Sequence, residues 1–166
     1  MKTLFDLIKI RITVLVSITT GFGYLLSRGT FDIGVIYPVL GIFLTACGSA
    51  AINHLQESDI DIKMNRTRNR PLPSGTLSKH QVILIALGFV ITGSVLLLMT
   101  LGVVEMLLSL LALVWYNIIY TPMKRKNPFA VVPGSIIGSI PPVVGWVAGG
   151  GDLASPESVF LAFFFF

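Results

Sequence analysis

Residues 53–75 read NHLQESDIDIKMNRTRNRPLPSG. Three carboxylates (Glu57, Asp59, Asp61) and four basic side chains (Lys63, Arg66, Arg68, Arg70) fall here, directly after an apolar run. Charge is scarce elsewhere, since 54% of the chain is hydrophobic and only 12% is charged. Ionisable groups at the mouth of a membrane helix are costly to place, so a cluster there marks a functional site by default. What surrounds the cluster decides the fold. Apolar runs of about 20 residues cross a bilayer, and five occur, at 10–27, 33–54, 81–101, 104–121 and 129–148. With a mean hydropathy of +0.84, the chain reads as all-α, a polytopic transmembrane helix bundle.

A sixth apolar run, VFLAFFFF, closes the sequence after Ser158. Ser155-Pro156-Glu157 before it has the order of a helix start: a capping serine, proline in the first turn, then an acid. A run this short does not span a hydrocarbon core about 30 Å thick. The expectation is therefore five complete helices plus the start of a sixth. Residues 1–166 would form a single transmembrane domain, truncated inside that helix.

The formal charge of +4 is distributed as topology. Basic residues concentrate in every second connection: Lys2, Lys9 and Arg11 at the start, Lys63 to Lys79, and Lys124 to Lys126. The positive-inside rule puts the N-terminus and the 55–80 and 122–128 loops in the cytoplasm. No nucleic-acid partner is expected. The N-terminus shows neither a small-x-small cleavage site nor a transit-peptide composition. The first span is read as a retained helix in a bacterial inner membrane. Cys47, the lone cysteine, has no intrachain partner and reads as a small residue in a helix interface. Gly21, Gly23, Gly41, Gly48, Ser49, Gly134 and Gly138 suit close helix packing. Pro133, Pro141 and Pro142 are expected to kink or break the fifth span. The segment 138–146 then either lines a cavity or forms a packing kink.

Asn53, Glu57 and Asp61 are spaced i, i+4, i+8, a drift of only ~40° per step, so on a helix they share one face over about 12 Å. One amide oxygen and two carboxylates suit a hard cation such as Mg²⁺, which takes one or two carboxylates plus substrate phosphate oxygens. The same spacing also suits a solvated helix end whose acids pair with nearby arginines. Asp59 falls off this face. The basic stretch that follows suits phosphate, which arginine grips bidentately, and equally suits anionic lipid. Beside the acids, anion capture is the better reading. Pro71 and Pro73 with Ser74-Gly75 stiffen the stretch into a turn. Tyr120 and Lys124 share a face if the helix continues past Pro122, and Tyr120 is also placed as an interfacial anchor. His54 adjoins the site, where a membrane histidine more often hydrogen-bonds within the bundle than ligates.

These residues resemble the UbiA superfamily of intramembrane prenyltransferases. Its first acidic motif, Asn-Asp-x-x-Asp-x-x-x-Asp, is matched by Asn53, Glu57 and Asp61, then by Arg66-Thr67 and Arg70-Pro71-Leu72. His54 departs from it. Within the superfamily the chain is similar to the haem O synthases (protohaem IX farnesyltransferases). Asp59-Ile60-Asp61, Met64, Arg66 to Pro73, Lys9-x-Arg11, Tyr120-Thr121 with Lys124-Arg125, and Pro141-Pro142-x-x-Gly145-Trp146 carry that likeness. The resemblance implies a nine-helix bundle that transfers farnesyl from farnesyl diphosphate to a vinyl group of haem B. Asn53, Glu57 and Asp61 would hold Mg²⁺ and serve catalysis. Arg66, Arg70 and Lys124 would clamp the diphosphate, and Tyr120 would orient it. The lipid bilayer is the setting, and a haem A synthase is an implied partner. A second acidic motif and a His-Phe-Trp segment would follow residue 166, so residues 1–166 alone are expected to be inactive. Two alternatives remain at this stage: a prenyltransferase for an aromatic or quinone-precursor acceptor, and a transporter or membrane assembly subunit.

Overall fold

The computed structural model describes residues 2–166, and every regular element among them is helical. Five stretches are long and apolar enough to cross a membrane: Ile10–Arg28, Ile33–Asp61, Lys79–Thr100, Val103–Met123 and Pro128–Ala148. They follow the five apolar runs within a few residues, except that the second continues from residue 54 to Asp61. The protein is a multi-pass membrane protein. Ile12, Leu15 and Ile18 on one helix and Leu84, Leu87 and Ile91 on another are at least half exposed. Apolar faces of that size suit lipid and not water.

A short helix α1 (Lys2–Leu7) leads into α2 (Ile10–Arg28) through Lys9, which is left-handed at φ 51 and ψ 51. That is the one positive φ outside glycine among the described residues. Asp32 closes the α2–α3 connection. Its carboxylate accepts from Tyr24 Oη at 2.8 Å, Gly34 N at 2.7 Å and Arg28 Nε at 3.1 Å. The Tyr24 hydroxyl, foremost among these partners, holds Asp32 below the usual carboxylate range.

Helix α3 (Ile36–Asp61) has 26 residues, about 39 Å at 1.5 Å per residue. The hydrocarbon core is about 30 Å thick. Its final turns therefore reach the interface, and they carry Asn53, Glu57 and Asp61. Helix α4 (Lys79–Thr100) begins ahead of its apolar run because Ser78 and Gln81 cap it reciprocally, at 3.2 and 2.9 Å.

Helix α5 (Val103–Val114) widens into a π-helical turn at Trp115–Tyr120 and continues as α6 (Thr121–Met123). Helix α7 (Val131–Ala148) is one continuous helix through Pro141 and Pro142. The expected break is corrected: Pro133 sits in the first turn, where its missing N–H is not required, and Pro142 is fully buried by its neighbours. Helix α8 (Pro156–Phe164) starts as expected, with Ser155 Oγ accepting from Ser158 N at 3.2 Å.

Helix α3 packs on α4 and α2, and α2 packs on α7. The α2–α7 contact depends on two glycines. A Cβ on Gly23 would lie 1.9 Å from the Pro142 carbonyl oxygen, and one on Gly145 would lie 1.9 Å from that of Thr20. Backbones approach this closely only where side chains are absent, as membrane helix packing requires. Ile42, Ile140 and Val144 form the core between α3 and α7.

Candidate active site

Hydrogen bonds between α3 and the α5–α6 segment fix the orientation of the acidic face. Ser109 Oγ donates to Thr45 Oγ1 at 2.7 Å, Asn117 Nδ2 to Ser49 Oγ at 2.7 Å, and Asn53 Nδ2 to Thr121 Oγ1 at 3.1 Å. The π-helical turn breaks the regular α ladder, and the Asn117 carbonyl accepts from Gln56 Nε2 at 2.9 Å. These bonds hold the two segments in register where α3 leaves the hydrocarbon.

Asn53, Glu57 and Asp61 each meet a cation from another element. Asn53 Oδ1 accepts from Lys9 Nζ. Glu57 Oε1 lies 2.7 Å from Lys124 Nζ. Asp61 takes a fork from Arg70 Nη1, at 2.8 and 2.7 Å to its two oxygens. Asn53 and Asp61 are buried. The sequence left open a solvated helix end with paired acids. The pairing is present, with Asp61 buried and the Glu57–Lys124 pair largely enclosed.

Asp59 points away, with a side chain 65% exposed and paired to Arg125 at 3.1 Å. Arg66 is exposed and makes no ion pair among the described residues, so the structure does not bring it to the face. Arg70, Lys124 and Tyr120 do gather there. The turn across Pro122 persists, with Lys124 N bonded to Tyr120 O at 2.9 Å. Lys124 Nζ lies 5.1 Å from the Tyr120 ring and 5.7 Å from the Tyr116 ring, and the two rings stack at 5.7 Å.

Three contributors were not assigned from sequence. Tyr116 extends the i, i+4, i+8 series through Tyr120 to Lys124, a spacing legible in the chain. Lys9 arrives from 44 positions away, and no local pattern announces that. Thr121 orients the Asn53 amide. Burial pushes the Lys9 amine down to about 8, against the opposing pull of Glu57. His54, expected to hydrogen-bond within the bundle, is 1% exposed and has no partner at either ring nitrogen among the described residues.

Beside the charged face lies an apolar cavity. Lys9 and Tyr116 line its charged end, Ser49 and Val16 its wall, and Ile42 and Pro141 its far end. Pro141 thus faces a cavity, while Pro142 packs. From Asn53 to Ile42 along α3 is about 16 Å.

Against known proteins, the UbiA prenyltransferase family matches residues 14–166. The chain belongs to the UbiA prenyltransferase family. It is 38% identical over 156 residues to the protoheme IX farnesyltransferase of Oleidesulfovibrio alaskensis, covering 94% of this chain and 55% of that protein. The same-named protein of Cytophaga hutchinsonii is 36% identical over 160 residues, covering 95% and 56%. The chain thus spans about half the length of these relatives. A solved digeranylgeranylglyceryl phosphate synthase superposes with a TM-score of 0.85 at 22% identity, over 97% of this chain and 56% of that one. That likeness establishes the fold.

UbiA prenyltransferases generally use a divalent metal. Among the described residues no three His, Cys, Asp or Glu side chains gather into a metal cage. The face offers two carboxylates and an amide oxygen, all hard donors. That set fits an ion which shares its coordination with substrate phosphates, and does not fit one held by protein alone.

Proposed function

We propose that the protein is a protohaem IX farnesyltransferase, moving the farnesyl group of farnesyl diphosphate onto a vinyl group of haem B to give haem O. The observation that carries the donor is the Asn53–Glu57–Asp61 face, ringed by Lys9, Arg70 and Lys124, beside an apolar cavity. The likeness to farnesyltransferases at 36–38% identity supports the acceptor. The proposal concerns the whole protein. Residues 1–166 are proposed to be part of one transmembrane domain and not to turn over alone.

Asn53, Glu57 and Asp61 would hold Mg²⁺, which when bound supplies Lewis-acid stabilisation to phosphate oxygens. Arg70 and Lys124 present positive charge where the leaving diphosphate would gain negative charge, and Arg66, which lies off the face, is proposed as a further contact from the loop. Such prepositioned charge acts most strongly where water is excluded. Tyr120 orients the diphosphate through its place beside Lys124. The apolar walls around Val16 and Ile42 host the prenyl chain and keep water from the allylic cation. The basic loops at this end support a cytoplasmic site with the N-terminus on the same side, and a bacterial inner membrane is proposed as the setting. A haem A synthase would use the product.

The test supplies haem B, Mg²⁺ and labelled farnesyl diphosphate to membranes expressing the protein at its natural length. Labelled haem O is the expected product. Label appearing in a quinone-type lipid instead would refute the haem assignment, and no labelled product would refute the transferase.

A further inference from the structure

The three basic side chains on the acidic face come from three separate elements. Lys9 stands in the break between α1 and α2, Arg70 in the loop after α3, and Lys124 beyond α6. Together they engage each oxygen-bearing group that the face offers. The two ion pairs are largely enclosed, with side-chain exposures of 25% and 6% for Arg70–Asp61 and 24% and 17% for Lys124–Glu57. Pairs at that depth are screened far less than surface ones.

We infer that Lys9, Arg70 and Lys124 are internal counterions that exchange partners, so that a divalent cation and a diphosphate occupy the site together and neither occupies it well alone. The inference rests on the proposed prenyl-diphosphate function. Charge drives it. Two carboxylates against three cations leave one net positive charge on the cluster. A divalent cation alone adds to that charge and must displace the basic groups into poorly solvated space, where an unpaired charge is expensive. A diphosphate alone draws the basic groups away and leaves Glu57 and Asp61 uncompensated. When both arrive, the basic groups move to phosphate oxygens, the acids turn to the metal, and the added charges nearly cancel. By linkage, each ligand then raises the affinity of the other by the same factor. Lys9 has a particular place in this exchange because it bonds Asn53 and also lines the apolar cavity. It stands where the charged face meets that cavity.

The test is metal binding with no substrate present. The natural-length protein in nanodiscs is titrated with Mn²⁺, and free ion is read by electron paramagnetic resonance. The wild type should bind Mn²⁺ weakly. Lys124→Met releases Glu57, and Lys9→Met releases Asn53. Each should bind Mn²⁺ alone about tenfold more tightly than the wild type. Each should also retain less labelled pyrophosphate when metal is supplied. Lys124→Arg keeps the charge beside Glu57 and should bind Mn²⁺ as weakly as the wild type, which separates counterion loss from misfolding. Unchanged Mn²⁺ affinity in both Met variants would overturn the inference, as would tight Mn²⁺ binding by the wild type. Haem O formation in the same preparations separates the two ideas. Haem O made by a wild type that binds Mn²⁺ tightly sinks the counterion exchange and leaves the function standing. No farnesyl transfer, with the Mn²⁺ pattern as inferred, sinks the function instead.

Discussion

Asp59 and Asp61 lie two positions apart and have opposite surroundings. Asp61 is enclosed under Arg70, while Asp59 is exposed against Arg125. Glu57→Gln and Asp61→Asn keep shape and remove charge, and each should lower haem O formation at least about a hundredfold. Asp59→Asn should stay within about threefold, since an exposed pair contributes little. Equal losses at all three positions, measured at matched protein levels, would undo the face assignment. His54 gives the second residue-level expectation. A buried ring with two unpaired nitrogens carries a desolvation cost of about 1–3 kcal/mol. His54→Leu should therefore leave the detergent melting temperature unchanged or raise it. A fall of several degrees would show that the ring has a polar partner. At this scale the sequence reveals spacing along one helix, and the Asn53–Glu57–Asp61 face follows from spacing alone. It conceals contacts between distant segments, which is why the spacing does not bring Lys9 to Asn53 across 44 positions.

Helices were legible wherever hydropathy and backbone hydrogen bonding end together. They diverge at α3, whose apolar run stops near residue 54 while its hydrogen bonding continues to Asp61. They diverge again at α4, where the Ser78–Gln81 cap starts the helix earlier than the apolar pattern does. The prolines of α7 do not break the helix, while the cavity-lining reading of this segment is met at Pro141. Here α2 meets α7 so closely that Gly145 has the Thr20 carbonyl where a Cβ would be. Gly145→Leu forces backbone apart and should destabilise the protein by about 3 kcal/mol. Thermal unfolding in detergent reads this directly, and a neutral result would mean that α2 and α7 do not touch there.

For the whole molecule, Ser74 and Ser155 fall at opposite ends of the bundle. In Ser74→Cys and Ser155→Cys variants, a membrane-impermeant thiol reagent should label the first from the cytoplasm only and the second from outside only. Cys47 is fully buried and adds no background. Labelling of both from one side would reverse the charge-based topology. The ion pairs across the α3 face also bear on how the protein is made. Structural zinc domains cannot fold until their metal arrives, because the unbound ligands repel or lie unsatisfied. In this protein Lys9, Arg70 and Lys124 already satisfy the ligand oxygens. On the proposed function, folding would then not wait for the metal, and a cell short of divalent ions would still hold a folded protein ready to take them up. Stripping divalent ions with EDTA should therefore stop haem O formation without lowering the melting temperature, and readdition of the ion should restore activity with no lag for refolding.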